Sequence, residues 1–441
     1  MNLYFNSDVG RGSRTVDVAA GFGLLMLTLS GFRAEAVSVG VAPPPPTSED
    51  GNTYDLYVGG QEQYDSNLYR LPPGANNVAT LVSPNASRAD ELSVISAGGD
   101  AQWSVGRQLV DVDLHVDTTR FAHNSTLNNT GGYGKLLWNW EFGPYFSGTA
   151  GANWSRSLSS FGEALYLGRD LVDSPDYYAT GRYQVGPHWA VYGTVNDSSI
   201  SHSLAVARTQ DFRTEAGSGG IEYAVDPADT FSVEYRYDTG KFPNGIEVLT
   251  GTGVSLSHDV PGVVFSPDYH EDTYLFLLKH SFSDKTQLTA DAGYFKRSYS
   301  DKLIASFSGD VWRVALNWQP TDKTQVVFAG WHELHAYLVA ESNYFVSQGG
   351  SITPGWNATD KLSVSMVLSY EHQNFIPSST SVVDVGPLKS NLATEQANIN
   401  YSPRSNLTLT LSYIHTSRES NAQYFRFEDD RANFTVLYKI H

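Results

Sequence analysis

Asn406–Tyr413 reads Asn-Leu-Thr-Leu-Thr-Leu-Ser-Tyr, an unbroken alternation of apolar and hydroxyl side chains. Successive side chains of a β-strand point to opposite faces. Leu407, Leu409, Leu411 and Tyr413 therefore share one face, and Thr408, Thr410 and Ser412 share the other. The same unit recurs along most of the chain. Val110, Val112, Leu114 and Val116 oppose Asp111, Asp113, His115 and Asp117. Phe231, Val233, Tyr235 and Tyr237 oppose Ser232, Glu234, Arg236 and Asp238. Trp312, Val314, Leu316 and Trp318 oppose Arg313, Ala315 and Asn317, and Leu362 to Tyr370 repeats the pattern mostly against serines. Segments rich in Pro, Gly, Asp and Asn separate such strands at 142–145, 185–188, 225–229, 282–285, 319–323, 357–361 and 402–405. These are the residues that tight turns select.

The lengths of the connections decide between a soluble sandwich and a membrane barrel. Short turns alternate with long polar connections at 65–88, 157–175, 241–269 and 373–390. Short turns on one rim and long loops on the other are the asymmetry of a transmembrane β-barrel, whose apolar face meets lipid and whose polar face meets water. About eight short-turn hairpins with a first and a last strand predict an all-β antiparallel barrel of about 18 strands, 16–18 being compatible with the pattern. An even count puts both termini on the periplasmic side. Pairs such as Trp138 and Trp140, Tyr177 and Tyr178, and Trp312 and Trp318 fall near strand ends, where interfacial girdles would place them.

Composition agrees. Only 17% of residues are charged while 13% are aromatic, against about a quarter charged in soluble domains. The absence of cysteine excludes a disulfide scaffold and thiolate chemistry. A net charge of -18 argues against nucleic acid as a partner.

The ends read separately. Val18–Phe32 is an uncharged apolar run preceded by Arg11 and Arg14 and followed by Ala34-Glu35-Ala36, a small-x-small cleavage pattern. It is short for a spanning helix, so residues 1–36 are expected to be a signal peptide. Four prolines, Pro43–Pro46, then make 37–53 an extended periplasmic leader, and 54–441 the barrel. The last strand alternates Phe434, Val436, Tyr438 and Ile440 but ends on His441 rather than on an aromatic.

No catalytic constellation stands out, and no cofactor is expected. Trp331-His332-Glu333-Leu334-His335 is one residue short of the zinc-binding spacing and lies on a strand, so its two imidazoles would point to opposite faces. The polar strand faces are more informative. Asp55, Asp111, Asp113, Asp117, Glu222, Glu234, Arg236, Asp238, Asp291 and Arg313 are candidate lumen-lining residues, which with neighbouring Ser, Thr, Asn and Tyr would give a wet interior of mixed charge.

Tyr54–Gly60 leads into Tyr64-Asp65-Ser66-Asn67-Leu68-Tyr69-Arg70-Leu71-Pro72. This stretch resembles the start of the EpsL-like outer-membrane barrels of exopolysaccharide biosynthesis loci, in which a first strand runs into an Asp-x-Asn loop ending Arg-Leu-Pro. The matching positions are Asp65, Asn67, Arg70, Leu71 and Pro72. The resemblance implies an outer-membrane protein giving passage to exopolysaccharide or its fragments. Its expected partners are polysaccharide, outer-membrane lipid and other components of exopolysaccharide assembly. A general or solute-selective diffusion porin is the alternative, and a barrel-embedded enzyme acting on lipid or glycan the second alternative.

Overall fold

The computed structural model describes residues 52–75, 86–162, 167–244, 246–248, 263–265, 268–301, 306–339, 342–377 and 388–440. The expected signal peptide and nearly all of the expected leader lie outside them. A single antiparallel sheet of 18 strands closes on itself. In chain order its strands are Thr53–Asp65, Asp90–Val105, Gln108–Phe121, Asn129–Phe142, Phe146–Leu158, Leu171–Gln184, Trp189–His202, Phe212–Asp226 and Asp229–Lys241. They continue with Tyr269–Ser283, Thr286–Tyr299, Phe307–Thr321, Thr324–Val339, Ser342–Thr359, Leu362–Pro377, Lys389–Arg404, Leu407–Ser420 and Phe427–Ile440. Each strand pairs with the next. The seam joins the first strand to the last, from Leu56 opposite Ile440 to Asp65 opposite Arg431. At ~4.8 Å between strands and a tilt of ~40°, such a ring is about 35 Å across from backbone to backbone, wide enough for an aqueous channel.

The exposed large apolar side chains fall on alternate positions, as the sequence pattern requires. Leu114 and Val116, Val233, Tyr235 and Tyr237, and Leu411 and Tyr413 are all exposed on the outer face. Aromatic residues form two belts there. Phe282 stands at the short-turn rim and Tyr274 eight positions along the same strand, both exposed. At ~3.4 Å per residue and a ~40° tilt that separation is about 21 Å along the barrel axis, near the ~25 Å height of an apolar membrane band. Trp138, Trp312 and Trp318 all belong to this outward set. Tyr177 does too, whereas Tyr178, one position along, faces the lumen, so only one of that pair can sit in a girdle.

Two of the long connections are shorter than the sequence suggested. Strands run on to Leu158 and Pro377 and resume at Leu171 and Lys389. The outer connections are thus 159–170 and 378–388, instead of 157–175 and 373–390. Strand ends that rise past the lipid lose their apolar face, so their alternation fades before their pairing does. The connection between Lys241 and Tyr269 contains a small hairpin of its own, Ile246–Val248 with Val263–Phe265. Residues 76–85 of the 65–88 connection and most of 241–269 lie outside the described residues.

The outer rim carries the fold's two buried clusters. One gathers Leu68, Tyr69, Leu71, Leu92, Phe121 and Leu127. The other gathers Phe242, Tyr269, Phe295, Tyr299 and Phe307. The barrel's dry packing is therefore at its mouth, while its centre is lined by polar groups.

Candidate functional site: the lumen wall and its mouth

Every candidate lumen residue lies on a face opposite the exposed apolar positions, so Asp55, Asp111, Asp113, Asp117, Glu222, Glu234, Arg236, Asp238, Asp291 and Arg313 all point inward. Cross-strand register sorts them into two walls. On the first, Asp55 stands opposite Asp100, and Asp100 opposite Asp113. Lys439 caps this row of carboxylates from one side, its Nζ 3.1 Å from Asp55 Oδ2. Lys135 stands opposite Asp113 on the other side. Asp111 and Asp117 flank the row along the same strand, Asp117 lying 3.7 Å from His115. Among the described residues, no base comes within ion-pair distance of Asp100 or Asp111.

An aromatic patch sits among these acids. The His115 and Tyr133 rings stack with centroids 5.0 Å apart, and Tyr57 Oη lies 2.9 Å from His115 Nδ1. The Tyr133 hydroxyl donates to Asp113 Oδ2 at 3.2 Å. The Tyr57 ring lies over Gly98, where a Cβ would come within 2.3 Å of its hydroxyl oxygen. Asp100, Tyr57, His115 and Tyr133 were not singled out from the sequence. What joins them is register between strands, which no single strand's pattern contains.

The second wall holds acids and arginines in pairs. Arg182 donates to Glu222 at 2.7 Å, Arg236 to Asp238 at 2.8 Å and Arg297 to Glu271 at 2.8 Å. Arg313 pairs with Glu333 and stands opposite Asp291 in register. Glu234 accepts from the Tyr192 hydroxyl at 2.9 Å. Arg297 is also sandwiched, its guanidinium 3.8 Å from the Tyr269 ring centre and 5.7 Å from that of Phe307. A third sector is neutral. Thr410 and Ser412 donate to Asn400 and Asn398, both at 2.8 Å. The hydroxyl face of the 406–413 segment thus joins an amide-rich neighbour.

The Asp65–Pro72 loop is a clasp at the mouth. Asp65, Asn67 and Tyr69 are almost fully buried. Asn67 Nδ2 donates to the carbonyls of Leu71 and Glu428, both at 2.9 Å, and its Oδ1 accepts from Leu71 N at 2.9 Å. Arg70, at φ 53° the one described non-glycine residue with a positive φ, reaches Asp65 and Asp429, each at 3.1 Å. Arg431 holds the other oxygen of Asp429 at 3.0 Å. Pro72 closes the loop with a turn in which its carbonyl accepts from Ala75 N at 3.1 Å. Tyr69 donates to Asn124 at 3.0 Å, and burial, with the charge of Asp90 nearby, pushes its phenol up to about 12. The clasp straddles the seam between first and last strands.

The connection between Leu158 and Leu171 reaches inward over the mouth. Phe161 packs on Tyr69 with ring centroids 4.9 Å apart, and the Gly162 carbonyl accepts from Arg418 on an inward face across the barrel at 2.9 Å. The mouth is narrowed at this point.

His332 and His335 lie within the strand Thr324–Val339 and face opposite ways. His332 stacks outside on Trp312 at 6.3 Å between centroids, while His335 lies inside, 3.4 Å from Glu333.

Residues 279–439 match the family model described as "Putative beta-barrel porin 2". No curated protein matches. Similar solved structures include Pseudomonas aeruginosa OccK2 (OpdF) in complex with glucuronate, at 8% identity and a TM-score of 0.46, over 89% of this chain and 99% of that one. Pseudomonas aeruginosa OpdL shows 10% identity and a TM-score of 0.44, over 89% and 99%. Acinetobacter baumannii OccAB3 shows 11% and 0.43, over 88% and 98%. A closed 18-stranded barrel with an apolar exterior, matched by a porin family model, is a porin-like protein of the outer membrane.

Proposed function

We propose that the protein is a solute-selective diffusion porin whose lumen favours cationic and neutral polyhydroxylated solutes. The row Asp55–Asp100–Asp113, flanked by Asp111 and Asp117, carries this reading. The arginines of the facing wall are neutralised by their own carboxylates and Asp55 by Lys439, so the field left in the water centres on Asp100 and Asp111, which have no base at ion-pair distance among the described residues. A low-dielectric wall focuses such a field to several kT and raises the local concentration of cations. The stacked Tyr57, His115 and Tyr133 beside it offer ring faces, and the Asn398, Asn400, Thr410 and Ser412 sector offers donors and acceptors for hydroxyl groups.

Passage of exopolysaccharide is the second reading. The neutral hydroxyl and amide sector is the observation that favours it. The Asp65–Pro72 resemblance adds less, because burial and hydrogen bonding in the clasp already account for those residues.

Reversal potentials across planar bilayers holding the purified protein under a KCl gradient test the proposal. Cation selectivity is expected. Anion selectivity, or no conductance, would reject it. Exopolysaccharide secretion that stops on deletion of the gene, with conductance unselective, would favour the second reading.

A further inference from the structure

The outer surface holds a groove that passage through the lumen does not use. On the strand Asn129–Phe142, the outward positions 132 and 134 are both glycine. Gly132 stands between Val116 and Arg156 in register, and Gly134 between Leu114 and Trp154. Gly132 has φ 156°, and a Cβ there would come within 2.3 Å of the His115 carbonyl oxygen, so this strand cannot fill the space. The result is a trough floored by backbone. Leu114 and Val116 form one bank and Trp154 the other.

Three arginines converge at the trough's outer end. Arg120 is the penultimate residue of its strand, on the same face as Val116 and exposed. Arg156 is two positions above Trp154 and Arg169 lies just before the next strand; together with Arg120 they line one open crevice. Asp173 stands opposite Arg156 in register, but Arg156 Nε stays 3.9 Å from it and has no hydrogen-bond partner. Arg120 and Arg169 make no ion pair among the described residues. On a chain of net charge -18 this is a local inversion of sign.

We infer that this trough binds a phosphorylated, acylated glycolipid of the outer leaflet. The chemistry is that of an anionic amphiphile. Guanidinium groups pair with phosphate by charge-assisted, often bidentate hydrogen bonds. An acyl chain lies along the exposed Leu114, Val116 and Trp154. The arginines stand at the long-loop rim and the apolar banks toward the membrane centre, which is the order of headgroup and tail in the outer leaflet. By contrast, Arg213, also outward, is spent on Asp197 in a two-point contact at 2.9 and 2.8 Å.

The test uses the full-length barrel in detergent micelles, with folding checked by heat-modifiable gel mobility. Binding of bis-phosphorylated lipid A, of dephosphorylated lipid A and of phosphatidylglycerol is measured by native mass spectrometry. The wild type should retain bis-phosphorylated lipid A. Dephosphorylation, or the triple variant Arg120→Gln/Arg156→Gln/Arg169→Gln, should weaken retention at least ten-fold, given the size of charge-assisted hydrogen bonds. Arg213→Gln should bind as the wild type does. Equal binding of the dephosphorylated lipid, unaltered binding by the triple variant, or no retention by the wild type would overturn the site. Equal binding of phosphatidylglycerol would overturn the glycolipid as its occupant.

Discussion

The two charged walls of the lumen use the same residue types to opposite ends. On one, Asp55, Asp100 and Asp113 lie side by side across three strands, with lysines only at the ends of the row. On the other, Arg182, Arg236, Arg297 and Arg313 each meet a carboxylate. Paired charge ties strands together, as Arg297 to Glu271 and Arg313 to Glu333 do, and leaves little field in the water. Asp100 and Asp111, with no base at ion-pair distance among the described residues, contribute little to cohesion and act on whatever passes. The first wall should therefore govern selectivity and the second stability, and substitutions on the two should separate these effects.

The largest loss of stability is expected at Arg297→Leu. Glu271 would remain buried without its partner, and breaking a buried pair by removing one member costs about 3–5 kcal/mol. Thermal unfolding in detergent should show a lowered midpoint, with the selectivity of the surviving barrels little changed. An unchanged midpoint would mean that the paired wall is not structural.

The converse variant, Asp100→Asn/Asp111→Asn/Asp113→Asn, should leave the melting midpoint nearly where it is. It should lower the cation-to-anion permeability ratio several-fold, because the focused field of several kT disappears. A ratio that does not move would dissolve the distinction between the walls.

A smaller shift is expected from Arg182→Gln. It frees Glu222 to face the water, so cation selectivity should rise modestly while stability falls. If selectivity fell instead, the paired arginines would be the ones that passing ions sense.

The clasp gives the smallest effect and a pH dependence. Tyr69 has a phenol pKa raised to about 12, so the folded rim holds its proton more tightly than the unfolded chain does. Stability from this group is complete below about pH 10 and is lost as pH rises toward 12. Tyr69→Phe should lose about 1 kcal/mol at neutral pH, through the missing hydrogen bond to Asn124, and should flatten that alkaline decline. An alkaline decline of the same size in the variant would assign it to another group.

The barrel and the direction of its faces were legible because a period of two is written into each strand by itself. Eight short turns and two terminal strands give the 18 strands observed. Asp111, Asp113 and Asp117 could be put on one face without knowing their neighbours. That Asp100 completes a row with Asp55 and Asp113 could not be seen, since it depends on the register of three strands. The glycine trough was hidden for the same reason, because Gly132 and Gly134 weaken a strand pattern when read alone. The Asp65–Pro72 motif marks this loop in the sequence, but the partners that hold it are not legible there. The partners that explain it are remote: Asn67 N meets Asp429 Oδ1 across 362 positions of chain.

That separation has a kinetic meaning. Closing a hairpin of ~30 residues costs about 3 kcal/mol in chain entropy, whereas bringing together segments ~370 residues apart costs about 5 kcal/mol. The seam is thus the slowest pairing in the barrel to nucleate, since every other strand finds its partner through a nearer neighbour. A latch whose two halves sit on opposite sides of that seam, at the same rim, acts where an incompletely closed barrel would reopen first. Damage to Asn67 or Asp429 should then appear less as altered permeation than as a pool of unclosed chains during insertion.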